Sequence, residues 1–105
     1  MSEDAFKARR LRAREIVDTL VQIVLGEGPR EIGAYHKLRV VRLALAYEQS
    51  TDAEALRDAA EVLREATYGR GGLSDFYVSR SDRTEMIEAN EEFERLKKAL
   101  WAELE

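Results

Sequence analysis

The chain has 105 residues, 45% hydrophobic and 36% charged, with a net charge of −4. That length fits one domain with a modest core, and the acidic balance argues against nucleic-acid binding by the whole surface. With no cysteine there is no disulfide scaffold, thiolate zinc site or cysteine nucleophile, and the single histidine, His36, excludes a histidine-rich metal centre.

The first predicted helix runs from about Asp4 to Leu25. Phe6, Ala13, Ile16, Val17, Leu20, Ile23 and Val24 share one face at 100° per residue. Gly26 follows the last apolar residue, where a left-handed C-terminal cap is expected. Within this helix Lys7, Arg9, Arg10, Arg12 and Arg14 put five basic residues in eight. They wrap the helix and form no groove-reading edge, and no basic recognition helix follows. They read as a solvated helix end or as partners for an acidic fourth helix.

The second helix is expected from about Arg30 to Glu48, with Pro29 suited to its first position. Ala34, Leu38, Val41 and Leu45 form its stripe. Val40, Leu43, Ala44 and Tyr47 widen that stripe, which predicts burial on more than one side. His36 lies here with no motif around it and reads as a structural or surface residue, not as a general base. The third helix starts at Thr51, where Thr51 and Glu54 make a capping box. Leu56, Ala59, Ala60, Leu63 and Ala66 face inward, and Gly69 ends the helix. The fourth runs from about Asp82 to Leu104, capped by Ser81 or Asp82, with Met86, Ala89, Phe93, Leu96, Leu100 and Leu104 as its stripe.

Between the third and fourth helices, residues 69–81 hold Leu73, Phe76, Tyr77 and Val78. A solvated linker would not carry such side chains, so this loop is expected to fold back and plug one end of the bundle by Phe76 or Tyr77. Gly69-Arg70-Gly71-Gly72 follows a helix, not a strand, and reads as a helix stop rather than a phosphate cradle. Asp75 is expected to organise this turn through backbone N–H groups. The predicted fold is all-α: a small antiparallel four-helix bundle, one domain over residues 1–105, with an apolar glycine-rich loop between helices three and four.

No residue set suggests catalysis, a cofactor or a metal site. A carboxylate-bridged metal pair would need Glu-x-x-His on two helices, and there is one histidine. The N-terminal Met-Ser-Glu-Asp has no hydrophobic signal region, and no apolar run approaches the roughly 20 residues of a membrane span. The expectation is a cytoplasmic chain with no membrane partner, monomeric or homodimeric. The candidate partner surface is the fourth helix. Glu88, Glu91 and Glu92 lie on its outer side and could imitate an anionic substrate, unless they serve only as a solvated face paired with Arg83, Arg95 and Lys98. Ile87 and Trp101 are candidate apolar anchors beside them. Asp75 and Tyr77 of the loop complete the set.

The segment Tyr68-Gly69-Arg70-Gly71-Gly72-Leu73-Ser74-Asp75-Phe76-Tyr77-Val78 resembles the Tyr-Gly-Gly-Met-Gly-Ser-Phe/Leu-Asn-Asp-Leu-x-Ile/Leu pattern of an uncharacterised family of small bacterial helical proteins. Gly71, Leu73, Asp75 and Tyr77 take the matching positions, and Asn90, Phe93, Leu96 and Leu100 continue the match. The stretch from Tyr68 to Gly71 is one residue shorter than the pattern, Gly72 stands for Ser and Ser74 for Asn. The resemblance covers about a third of the chain. It implies a non-enzymatic immunity protein that binds and neutralises a cognate toxin of a type VI secretion or polymorphic toxin system. The alternative expectation is a helical regulatory protein contacting nucleic acid through residues 7–14.

Overall fold

The computed structural model describes residues 2–27, 32–68, 73 and 76–105. The expectations attached to Pro29, to Gly69-Arg70-Gly71-Gly72 and to Asp75 fall outside those residues. Four helices make up the fold: α1 (Glu3–Gly26), α2 (Ile32–Ala46), α3 (Asp52–Tyr68) and α4 (Arg83–Leu104). There is no strand among the described residues.

The helix starts follow local chemistry. Ser2 caps α1 by accepting from the Ala5 N–H at 3.3 Å, and Glu3 and Asp4 set negative charge against the positive end of the helix dipole. Thr51 Oγ1 accepts from the Glu54 N–H at 3.2 Å, as the capping box requires. Asp82, not Ser81, caps α4, accepting from the N–H groups of Thr84 and Glu85. The end of α1 departs from expectation. Gly26 is still helical, and the capping residue is Glu27 at φ −87° and ψ −8°, a right-handed conformation. No left-handed glycine is needed, because the right-handed turn delivers the Glu27 carboxylate to the loop before α4. There it accepts from the Ser79 N–H at 3.2 Å and from Arg80 at 2.6 Å.

The core is one cluster. Ala13, Val17, Leu20 and Val24 of α1 meet Ala34, Leu38, Val41 and Leu45 of α2, Leu56, Ala59, Leu63 and Ala66 of α3, and Phe93, Leu100 and Leu104 of α4. Ala55, outside the predicted stripe, is also buried. Phe6, Ile16, Ile23, Ala60, Ala89 and Leu96 pack partly buried against this cluster. Met86 is only half-buried and does not join it.

Helix α1 packs on all three others, while α2 and α4 take opposite flanks of the α1–α3 pair. That placement corrects the expectation for α2. Ala44 is partly buried, but Val40, Leu43 and Tyr47 are 49%, 62% and 58% exposed. As a flanking helix, α2 is covered by α1 and α3 alone, so its outer face stays open.

The loop before α4 packs as expected. Leu73, Phe76 and Val78 are buried in the core, and the Phe76 ring lies 4.6 Å from that of Phe93. Tyr77 is 60% exposed, so Phe76 and not Tyr77 makes the plug. One side chain fixes the segment to α4. Asn90 accepts from the Val78 N–H at 2.7 Å and donates to the Val78 carbonyl at 2.8 Å. Its amide thus pairs both backbone groups of Val78, as a neighbouring strand would. Val78 can then be buried without an unpaired peptide, which would cost about 1–3 kcal/mol.

Candidate partner-binding face

The exposed side of α4 is built by the same periodicity that buries Phe93, Leu100 and Leu104. Glu88, Glu91 and Glu92 all lie on it and are exposed. Their electrostatic states differ. Glu92 is bound by Arg95, whose Nε donates to it at 2.9 Å and whose second nitrogen makes a further contact. This raises the Arg95 pKa above its ordinary value, chiefly through the hydrogen bond and then through charge attraction. Lys97 pairs with Glu94 at 2.7 Å while its ammonium lies 5.4 Å from the centre of the Phe93 ring. Glu88 and Glu91 have no ion-pair partner among the described residues, and Arg83 and Lys98 do not neutralise them. Of the three basic residues expected to pair with this face, only Arg95 does.

Beside Glu91 lies an open depression of about 520 Å3, lined by Met86, Ile87, Asn90, Glu91, Glu94 and Lys98 among others. Ile87 is 46% exposed there. Tyr77 adjoins Val78, whose backbone is held by Asn90 of the same depression, so the exposed Tyr77 is placed within one residue of it. Trp101 does not join this group. It stands 14 residues from Ile87, about 21 Å along the helix, and packs half-buried against the core. The structure therefore sets Ile87 and Glu91 in one depression, places Tyr77 one residue from the peptide that Asn90 holds, leaves Glu88 and Glu92 exposed on α4 outside that lining, and sets Trp101 apart. Asp75 lies outside the described residues.

Three of the five basic residues in this stretch of α1, Arg9, Arg10 and Arg12, hold partners within the molecule. Arg9 Nε donates to the Glu103 carbonyl at 2.7 Å. Arg12 Nε donates to the Glu103 carboxylate at 2.9 Å, and this bond is the main reason its pKa is raised. Arg10 reaches across to the connection between α2 and α3. It donates to the carbonyls of Leu45 at 2.6 Å, Tyr47 at 2.8 Å and Ser50 at 3.3 Å, and pairs with Asp52 at 3.0 Å. A cation placed on the last carbonyls of a helix both satisfies orphan acceptors and opposes the negative end of its dipole. Lys7 remains exposed. Sequence reasoning missed the roles of Arg10, Glu27 and Asn90. Asn90 carried a signal, as a polar residue beside the core stripe of α4.

His36 is exposed on α2, its ring 5.6 Å from that of Tyr35. No group of three or more metal-ligating side chains gathers among the described residues. No described helix is long and apolar enough to cross a membrane. No protein-family model, no curated protein and no solved structure matches the chain.

Proposed function

We propose that the chain is a non-enzymatic binding protein, and within that class an immunity protein that captures and neutralises a cognate bacterial toxin of a type VI secretion or polymorphic toxin system. One observation carries the reading. Glu91, which has no ion-pair partner among the described residues, lines an open depression that exposes Ile87, and Glu88, likewise without one, is exposed elsewhere on the same helix. Such a face combines an apolar anchor with charge that steers a basic partner. The loop motif of residues 68–78 supports the same class. The alternative, nucleic-acid contact through residues 7–14, loses ground because Arg9, Arg10 and Arg12 already hold partners within the chain.

The test is capture of the partner from the native cell, followed by association kinetics with the purified pair. Replacing Glu88, Glu91 and Glu92 together by Lys slows association by roughly tenfold or more and abolishes its salt dependence, with helical content unchanged. An on-rate equal to wild type sinks the assignment of this face. A purified chain that binds nucleic acid through Arg9, Arg10 and Arg12, and loses it steeply with salt, sinks the immunity reading in favour of the alternative.

A further inference from the structure

Residues 76–80 form no helix, yet their burial is regular. Phe76 and Val78 are buried, while Tyr77 and Ser79 are exposed. That is the period-two pattern of an extended segment, with one face on the protein and the other on solvent. The N–H and the carbonyl of Val78 also point to one side, since both meet the Asn90 amide, as they do in an extended residue paired across a ladder. The segment is a strand-like strap laid across helices instead of onto a sheet.

A strand in a sheet is bonded to neighbouring backbone along its whole length. This strap is not. Among the described residues, its backbone bonds to the helices end on two side chains. Asn90 of α4 holds Val78, and Glu27, the residue that caps α1, accepts from the Ser79 N–H. Glu27 also anchors the strap's own Arg80 at 2.6 Å. The Glu27 side chain is 4% exposed and that of Arg80 44%, so the acid is sunk in the protein and the base reaches it from the solvent side. The strap in turn is not what keeps α4 in place. Phe93, Leu100 and Leu104 bury that helix, and Arg9 and Arg12 bind its last turn. A short segment with two buried side chains and two attachment points opens at a lower free energy than the core around it.

We propose that residues 76–80 open as one unit while the four helices stay folded, with Asn90 as the clasp and the Glu27–Arg80 pair as the latch. Opening changes the α4 face in a defined way. Asn90 lines the depression there, and its amide, spent on Val78 in the closed strap, is released into it. The Phe93 ring, 4.6 Å from that of Phe76 when the strap is closed, is uncovered about one turn further along the same helix. The closed strap thus withholds a peptide-binding amide and an aromatic ring, and the open strap adds both to the depression. This device is a property of the chain itself and stands whichever partner the α4 face takes.

Native-state hydrogen exchange of the full chain, followed by NMR at low urea, tests this. The Val78 and Ser79 amides exchange faster than those of Val17 and Leu20 in the core of α1, and their exchange depends less on urea because opening exposes less surface than unfolding. Arg80→Ala speeds both strap amides roughly tenfold, through loss of a bond between charged groups. Arg10→Ala, which loosens the α2–α3 connection, speeds the Val17 and Leu20 amides and leaves the strap amides as they were. Strap amides that share the urea dependence of Val17 and Leu20, or that speed in step with them in Arg10→Ala, overturn the proposal, since the strap then opens only when the whole chain unfolds. Strap exchange unchanged in Arg80→Ala overturns the latch. Should Arg10→Ala fail to fold, the urea series on the wild type decides alone.

Discussion

Removing the Arg10 side chain is expected to destabilise the fold far more than removing Arg12, two residues along the same basic stretch. Arg10 is 14% exposed and Asp52 32%, whereas Arg12 is 54% exposed. Arg10→Ala deletes three well-formed charge-assisted bonds, to Leu45, Tyr47 and Asp52, and a longer one to Ser50. Bonds involving a charged group contribute about 1.5–3 kcal/mol each. The freed carbonyls sit at a helix end where water can replace part of that, so the net loss is about 2–4 kcal/mol. For a domain of this size it lowers Tm by roughly 10–30 °C. Arg10→Lys keeps the charge but cannot reach several acceptors at once from a single ammonium, and recovers less than half of the loss. Arg12→Ala removes an exposed, solvent-screened pair and is expected to leave stability little changed. Urea unfolding followed by circular dichroism at 222 nm separates the three. An Arg10→Ala variant within 0.5 kcal/mol of wild type, or no more affected than Arg12→Ala, would refute the view that Arg10 fastens the α2–α3 connection.

Phe76→Ala is expected to cost about 3–5 kcal/mol in the same assay, and Tyr77→Ala under 0.5 kcal/mol; equal losses would mean that the loop is not seated by Phe76. Asn90→Leu should cost about 2–3 kcal/mol, since it strips both backbone groups of Val78 of their partner, and it should speed exchange of the Val78 amide in NMR; slow exchange in the variant would show that another group holds that peptide. Asp82→Ala should cost about 1 kcal/mol and Asp82→Asn only a few tenths, measured by thermal unfolding, with equal losses for both speaking against a capping role.

The helices, their inward stripes and the two capping signals at Thr51 and Asp82 were legible because each depends on neighbours within about four residues. The burial of the loop was legible too, because Leu73, Phe76 and Val78 have no reason to occur together in water. What sequence could not reveal is which apolar positions find cover. Val40 and Val41 are adjacent and chemically identical, yet Val41 is buried and Val40 is 49% exposed. Only the placement of α2 on a flank decides between them. Arg10 and Arg12 likewise look alike in a basic run, and their difference arises from an acceptor cluster 35 to 42 residues away. Of the candidate face, Glu88, Glu91 and Ile87 stand where periodicity put them. Trp101 does not, because the angle a residue takes around a helix says nothing of its distance along it.

The bonds from Arg9 and Arg12 to Glu103 have a practical meaning for handling the molecule. They stitch the opening turns of the chain to its closing turn, so neither end frays without pulling on the other. Whatever is fused ahead of α1 or behind α4 emerges from a single pole. Ile87 and Glu88 lie near the other pole, where α4 begins. An affinity tag, a fluorophore or a surface tether can therefore be attached at either end without shading them, and a short linker joining the two ends would yield a circularised chain with its folded topology intact.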